Sequence, residues 1–288
     1  MEYRSLSAYL KEKYGGKIRK ICIDGGFTCP NRDGRVSRGG CIFCGGRGAG
    51  EHIDAGRSVA EQVREYFSSP KEADGYIAYF QNFTNTYAPI PVLRKRYDEA
   101  LTDSRIKILA VGTRPDCVDS EVAELLASYK DRVDVFCELG LQTASDTTAR
   151  IINRGYDTEV FERAVRLLDS YGIEVIAHIM IGLPTEGKAE LKETLELINR
   201  LPVSGIKLHS VYVMEGTRLA DMYRSGEYTP IDMESYIERA VYFLSHMRPE
   251  IVVHRLTGDC PEGLLVAPLW NREKSRVINE IRRRLSLL

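Results

Sequence analysis

The sequence predicts an α/β fold, a full or partial (β/α) barrel with a C-terminal extension. Six continuous apolar runs of strand length alternate with segments of helical periodicity before residue 215. Continuous apolar runs are typical of parallel strands whose two faces are both covered by helices. A doubly wound open sheet is the alternative, because it produces the same alternation of strand and helix.

The first half of the chain contains four of these strands. They are predicted at 18–23, 76–81, 106–112 and 133–141. Helices are predicted between them at 58–67, at 92–101 and from 119 or 120 to 130. Ser58 can cap the first of these helices, and Pro91 can open the second, because both residue types are favoured at helix N-termini.

The second half continues the alternation and then becomes mainly helical. Strands are predicted at 174–181 and 205–213, and helices at 158–170 and 188–200. Later elements are helices at 217–225, 233–247 and 272–288, and a strand at 251–255. No low-complexity linker divides the chain. We therefore expect one domain, with residues 1–215 as the barrel core and 216–288 as an extension packed on it.

The composition is that of an ordinary globular protein, and it limits the possible functions. The 288 residues are 43% hydrophobic and 28% charged, with a formal net charge of −1, which argues against a nucleic-acid binder that uses its whole surface. No apolar run is long enough to predict a membrane span. The polar N-terminus lacks a signal-peptide core, so a cytoplasmic location is expected. The chain has seven cysteines, an odd number, and several of them are close together in the sequence, which does not suggest a disulfide framework.

Three of these cysteines lie in one loop, residues 24–50, directly after the first strand. Cys41 and Cys44 form a C-x-x-C pair, and Cys29 precedes them in a stretch rich in Gly, Pro, Asn and Asp. Such a loop costs backbone entropy to order and has few side chains for a core. Three thiolates bound to one centre would order it. Three protein ligands and one open position are the arrangement of a catalytic metal or cluster site.

Polar and glycine-rich segments follow nearly every predicted strand. They are found at 80–87, 112–116, 138–142, 182–186 and 207–217. In barrels and in open sheets alike, binding sites form at the carboxyl ends of the strands. The sequence therefore predicts one large pocket beside the cysteine loop.

Several polar side chains are candidates for this pocket. Glu138 and Gln142 lie on one face of their strand, and a buried carboxylate needs either a ligand or an internal Arg or Lys as its partner. His209 is a catalytic candidate, although a histidine on a strand is more often a core residue. Cys117 and Cys260 are further catalytic candidates in loops after strands, and neither has a C-x-x-C partner.

The segment that contains Cys29 and Cys41-Ile42-Phe43-Cys44 resembles the cluster loop of radical S-adenosylmethionine (SAM) enzymes. Their usual spacing is C-x3-C-x2-C, and the first gap is longer here. Residues 113–116, 138–142 and 180–184 resemble strand ends in the radical SAM domain of the Elongator catalytic subunit, which also has a long first gap. Residues 24–34, 84–87, 254–259 and 267–270 resemble the YhcC/YtqA type of bacterial radical SAM protein, so the likeness covers essentially the whole chain.

The resemblance implies a partial (β/α)6 TIM-like barrel of the radical SAM type with a C-terminal helical extension. It also implies a [4Fe–4S] cluster held by Cys29, Cys41 and Cys44, with the amino and carboxylate groups of SAM on the fourth iron. One electron from the cluster would cleave SAM to methionine and a 5′-deoxyadenosyl radical. The resemblance implies SAM contacts at Phe43, Gln81, Asn82, Glu138 and Gly182. Gln142, which lies on the same strand face as Glu138, is a further candidate for cofactor binding.

The same resemblance implies a substrate and partners. Wobble-uridine modification of tRNA is expected, with an electron donor such as flavodoxin or ferredoxin and without the acetyltransferase domain of the Elongator subunit. The basic residues near both ends of the chain, including Arg282, Arg283 and Arg284, are then expected to contact tRNA. Two alternatives are a radical SAM enzyme acting on a small metabolite or protein side chain, and a non-catalytic zinc or iron–sulfur module.

Overall fold

The structure is a computed structural model that describes residues 1–48, 53 and 56–288. The last two residues of the predicted cysteine loop, 49 and 50, lie outside the described residues. The strands found in the described residues are β1 (Ile18–Ile23), β2 (Gly75–Phe80), β3 (Ile106–Thr113), β4 (Asp134–Gln142), β5 (Glu174–Ile181), β6 (Gly205–Ser210), β7 (Val213–Met214), β8 (Val252–Arg255) and β9 (Leu265–Ala267).

Helices occupy most of the connections between these strands. They are α1 (Leu6–Tyr14), α2 (Val59–Ser68), α3 (Ile90–Ala100), α4 (Ser120–Ala127), α5 (Asp146–Ile151), α6 (Thr158–Ser170), α7 (Lys188–Arg200), α8 (Arg218–Arg224), α9 (Met233–His246) and α10 (Lys274–Ser286). Short 3-10 turns lie at Pro115–Cys117 and Leu269–Arg272. None of the helices in the described part of the chain is long and apolar enough to cross a membrane.

The larger sheet has seven parallel strands in the order β1-β2-β3-β4-β5-β6-β8. Each strand lies beside the next one in this series, and crossover connections between parallel strands have a constant right-handed sense. The connecting helices therefore cover one face, and the doubly wound alternative is wrong. Within the described residues β1 and β8 are not paired, so the sheet is a curled half-barrel. The partial barrel is confirmed, and the strand predicted at 251–255 is its seventh strand.

The predicted boundaries agree with the structure at most elements, and the differences have local causes. The strand predicted at 205–213 is interrupted, and its last residue begins β7, which pairs with β9 in a separate antiparallel sheet. The last helix, predicted at 272–288, begins at Lys274 as α10, and a 3-10 turn at Leu269–Arg272 precedes it. Helix α5 and strand β9 were not predicted, because elements of six and three residues are too short to show a period. The division at residue 215 stays a prediction.

Helix α1 was also missed, and it occupies the inner face of the half-barrel. Only Leu10 is fully buried among its nine residues, so the sequence shows little amphipathic pattern. The Leu10 side chain belongs to an apolar layer with Ile77, Ile108 and Phe136 near the amino ends of the strands. The helix contacts both edge strands, β1 and β8. It therefore covers the end of the inner face that lies away from the cysteine loop.

We predict that Leu10→Ala lowers the free energy of unfolding by about 2–5 kcal/mol, because it leaves a cavity in this layer. Leu287→Ala is the matched control, since Leu287 is 72% exposed and its loss should change stability by no more than about 0.5 kcal/mol. Urea denaturation of both variants measures the difference. Equal effects of the two substitutions would contradict the role of α1.

Candidate functional site

A cavity of about 390 Å³ lies on the inner face of the half-barrel, beyond the layer of α1. Each of the seven strands contributes at least one wall residue, from Cys22 on β1 to Arg255 on β8. The loop after β1 contributes part of the rim, including Cys29, Cys41 and Cys44. The prediction of one pocket beside the cysteine loop is therefore confirmed.

The three cysteines of the loop are free thiols, and all three line the cavity. The Cys41 and Cys44 side chains are hydrogen-bonded to each other, and this bond lowers the pKa of the Cys41 thiol. The same bond raises the pKa of Cys44, together with burial. The Arg32 guanidinium donates to the carbonyl oxygens of Cys44, at 3.1 Å, and Gly45. This arginine fixes the backbone directly after the third cysteine.

The donor set fits an iron–sulfur cluster. In the part of the chain that the structure describes, no three His, Cys, Asp or Glu side chains converge closely enough to hold one metal ion. A [4Fe–4S] cluster does not require that convergence, because each thiolate binds a different iron atom. Three thiols around a common cavity also leave one position of such a cluster open toward the cavity.

Asn31 and Asn153 fasten the cysteine loop to the segment after α5. The Asn31 side-chain amide donates to the carbonyl oxygen of Asn153 at 2.6 Å and lies 3.6 Å from the Cys41 sulfur. The Asn153 side-chain amide donates to the Gly40 carbonyl at 2.8 Å and to the Ser37 hydroxyl at 3.0 Å. These bonds replace the packing that a glycine-rich loop lacks. Neither asparagine belongs to a periodic pattern, so the sequence did not predict these bonds.

The next residue, Arg154, holds the end of β4 from the same segment. Its side chain is completely buried and donates to the carbonyl oxygens of Leu141, at 2.6 Å, and Thr143, at 2.7 Å. Arg114 donates to the Arg154 carbonyl at 2.9 Å. Between Leu141 and Thr143, Gln142 has a φ of +62°, a conformation that needs support from its surroundings. Residues 153 and 154 therefore order the cysteine loop and the end of β4 together.

Four of the six predicted SAM-contact residues line the cavity: Phe43, Gln81, Glu138 and Gln142. The other two, Asn82 and Gly182, are not among the lining residues. The Asn82 amide donates to the Asp24 carboxylate at 2.8 Å. A Cβ on Gly182 would lie 2.7 Å from the Ile231 side chain, and its φ is +99°, so packing and backbone conformation already require glycine there. The proposed contact roles of all six residues stay predictions.

Glu138 has internal partners, which was one of the two alternatives left open by the sequence. Its Oε2 accepts hydrogen bonds from His178 Nε2 at 2.8 Å and from the Lys207 ammonium. Lys207 also donates to the Tyr79 hydroxyl at 3.1 Å. Burial lowers the pKa of Lys207 to about 7 and that of His178 to about 4, although Glu138 opposes both shifts. The carboxylate is therefore already paired before any ligand binds.

The three catalytic candidates have different positions. His209 lines the cavity, and its Nε2 is buried with no hydrogen-bond partner among the described residues. Cys117 and Cys260 are not among the lining residues, since Cys117 lies in the 3-10 turn after Arg114 and Cys260 in the loop before β9. Burial raises the pKa of Cys117 to about 12 and that of Cys260 to about 11, which disfavours the reactive thiolate. Their catalytic roles stay predictions.

Several lining residues were not singled out from the sequence. They include Cys22, Arg32, Tyr79, Arg154, Tyr156, Met180, Tyr212 and Arg255. Strand alternation was a usable signal for Tyr79 and Met180, which share a face with other inward residues of their strands. Arg32 and Arg154 carried no such signal, because their approach to the cavity depends on contacts between distant segments.

We predict that Asn153→Gly lowers the iron and sulfide content of anaerobically reconstituted protein by at least about twofold, because the loop loses two side-chain hydrogen bonds. Glycine tolerates the φ of +54° at this position, so the substitution removes the amide contacts of Asn153 without adding backbone strain. Thr185→Gly is the matched control, since it removes a side chain at a φ of +67° in an exposed turn. An equal iron content in both variants would contradict the anchoring role.

Comparison with known proteins assigns this fold and site to a class. The family model described as the Radical SAM superfamily matches residues 31–198, and that of the Radical SAM C-terminal domain matches residues 203–286. The chain belongs to the radical SAM superfamily. Its cofactors are therefore a [4Fe–4S] cluster and SAM.

The chain is similar to curated proteins along nearly its whole length. Protein YhcC of Escherichia coli (strain K12) is 41% identical over 279 residues, which cover 94% of this chain and 90% of YhcC. YtqA of Bacillus subtilis (strain 168) is 37% identical over 289 residues, covering 98% of this chain and 89% of YtqA. The predicted resemblance to the YhcC/YtqA type is thus confirmed.

Similarity to proteins named for tRNA chemistry is more limited. The tRNA uridine(34) acetyltransferase of Methanocaldococcus jannaschii is 32% identical over 169 residues, covering 57% of this chain and 30% of that protein. Among solved structures, the archaeal Elp3 of Methanocaldococcus infernus with an N-terminal deletion superposes with a TM-score of 0.66 at 19% identity. That match covers 92% of this chain and 63% of the archaeal one, and at this identity it shows a shared fold.

Proposed function

We propose that this protein is a radical SAM enzyme that modifies the wobble uridine of tRNA. The observation that carries the proposal is the set of three free cysteines on one cavity, in a chain of the radical SAM superfamily. When bound, the reduced cluster supplies the electron that cleaves SAM to methionine and a 5′-deoxyadenosyl radical. The cavity would hold SAM beside the cysteines and limit the access of water to the radical.

The protein side chains have separate tasks in this proposal. Cys29, Cys41 and Cys44 hold the cluster, and the Phe43 ring provides an apolar surface for the adenine of SAM. The amides of Gln81 and Gln142 offer donors and acceptors for the polar groups of SAM. Glu138 is already paired, so it acts mainly by keeping His178 and Lys207 in place.

Support for tRNA as the substrate comes from the relatives. The region shared with the tRNA uridine(34) acetyltransferase covers more than half of this chain. An RNA substrate requires cationic side chains that can reach phosphates. The electron donor, expected to resemble flavodoxin or ferredoxin, and the cytoplasmic location stay predictions.

The three C-terminal arginines that were expected to contact tRNA are already engaged within the fold, and Arg282 donates to the Tyr3 hydroxyl at 3.1 Å. The Arg283 guanidinium bonds to Glu280 at 2.7 Å, and Arg284 bonds to Glu234 at 2.6 Å and to Glu280 at 2.7 Å. Arg35 and Arg38 differ, because they are exposed on the cysteine loop and have no ion pair in the described part of the chain. We therefore propose that tRNA contacts the cysteine loop through Arg35 and Arg38.

We predict that anaerobically reconstituted protein is brown and, with a reductant, forms 5′-deoxyadenosine from SAM. Cys44→Ala should lower both cluster absorbance and 5′-deoxyadenosine to background, because one of three cluster ligands is lost. Cys137→Ala is the matched control, since Cys137 is a buried core residue on the helix-covered face. Colourless wild-type protein with bound zinc would instead support the non-catalytic module. A brown protein that never cleaves SAM would contradict the catalytic proposal.

We predict that deletion of the gene removes or alters a wobble-uridine nucleoside of tRNA, measured by mass spectrometry of digested tRNA. An unchanged wobble-uridine profile would reject this substrate and favour a small metabolite or a protein side chain. Complementation with Arg35→Gln/Arg38→Gln should restore the nucleoside poorly, because about two phosphate contacts are lost. Arg282→Gln/Arg283→Gln removes the same charge from the C-terminal helix and should restore it fully.

A further inference from the structure

We propose that the middle layer of the cavity is an anion subsite that binds a carboxylate or phosphate group of the substrate. Its residues are Lys207, His209 and Arg255, with Lys20 behind them. The inference deepens the proposed function and rests on it only in taking the bound molecule to be the substrate.

Strand register brings Lys207 and Arg255 to one level of the half-barrel, and His209 follows two residues further along β6. Lys207 on β6 is paired with His178 on β5 and with Arg255 on β8. On the opposite edge, the Lys20 ammonium lies 5.4 Å from the centre of the Tyr79 ring, and the Lys207 ammonium lies 4.3 Å from the same ring. The cations therefore face one another across the interior. Lys207 and Arg255 lie between the apolar layer of α1 and the cysteine loop, whereas Lys20 is level with Ile77 of that layer.

Positive charge exceeds negative charge in this layer. Arg255 is a cation on the cavity wall, whereas burial lowers the pKa of Lys207 to about 7 and also lowers the pKa of Lys20. Glu138 is the one carboxylate among the described residues that contacts any of the three, and it pairs with Lys207. Asp259 also lines the cavity, but it lies at the exposed rim and is paired with Lys274. Arg255 is thus left without a counter-charge, an arrangement that is costly in a partly buried site. A bound anion would offset that cost.

Hydrogen-bond donors for an anion are available at the same place. The Arg255 guanidinium lines the cavity and makes no hydrogen bond or ion pair with any described residue. The His209 Nε2 is buried and unpartnered, and burial holds the pKa of His209 well below its usual range. His209 would therefore act as a neutral donor, in the tautomer that protonates Nε2. An arginine fork beside such a donor suits the oxygens of a carboxylate or a phosphate.

The anion is not expected to be the carboxylate of SAM. That group would bind the open iron position beside the cysteines, whereas Lys20 and Lys207 lie further from the loop, next to Tyr79. A second molecule that reaches this layer would meet the cations beyond SAM. This places an acidic group on the substrate, either as a substituent of the modified base or as a backbone phosphate.

The test uses reconstituted holoprotein and three small probes: acetate, inorganic phosphate and neutral acetamide. Thermal unfolding is followed at constant ionic strength, with chloride replacing the probe. Acetate or phosphate should raise the unfolding temperature with a saturable dependence on concentration, and acetamide should not. Arg255→Gln should weaken the apparent affinity at least about tenfold, whereas Arg255→Lys should retain most of it. Arg276→Gln, which removes the same charge from an exposed position, should respond like the wild type.

A larger response to acetate identifies a carboxylate, and a larger response to phosphate identifies a phosphate; either supports the subsite. A wild-type response no greater than that to chloride would overturn it, as would an unchanged response in Arg255→Gln. If Arg255→Gln does not fold, loss of the response in Arg255→Met, which keeps a long side chain and removes the charge, decides the question. Formation of 5′-deoxyadenosine is measured on the same wild-type protein. An anion response without SAM cleavage would reject the proposed function while leaving the subsite supported.

Discussion

The hydrogen bonds between Asn31 and the Asn153 segment are the constraint on which the site depends. The cysteine loop is too rich in glycine to order itself by packing, and its three thiols must lie around one cavity. The Asn31 side-chain amide donates to the backbone carbonyl of Asn153, and the Asn153 side-chain amide donates to the backbone carbonyl of Gly40. Because Arg154 follows directly and holds the end of β4, one short segment orders two walls of the cavity at once.

The inner face of the open half-barrel has three chemically different levels. Helix α1 and the apolar side chains around Leu10 form the first level. Lys207, Glu138 and their neighbours form a charged middle level, and the cysteine loop forms the third. Radical chemistry between the thiols and the charged level would take place in a space whose walls come from seven strands. The wall residues on these strands are thus held by the hydrogen-bonded ladder of one sheet.

The buried charges of the middle level determine which kind of ligand group can bind there. A lone carboxylate at Glu138 would be costly in the core of the half-barrel, and Lys207 together with His178 offsets that cost. The pairing leaves Arg255 without a counter-charge, and this is the basis of the proposed anion subsite. The same reasoning separates Arg255 from Arg283 and Arg284, whose charges are already matched on the surface.

The sequence by itself determined the elements that repeat or carry a spacing. It predicted β1, β5, α6 and α7 at their observed bounds. It also predicted that Cys29, Cys41 and Cys44 lie at one pocket, which they line in the structure. Such features are local, because hydrophobic period and residue spacing are properties of a single segment. Only the tertiary structure determined that the barrel is open and that α1 covers part of its inner face. It also determined the partners of Glu138 and the positions of Asn153, Arg154 and Arg255 beside the cavity. Each of these depends on hydrogen bonds or charges between segments far apart in the chain, and such contacts leave no periodic signal in either segment.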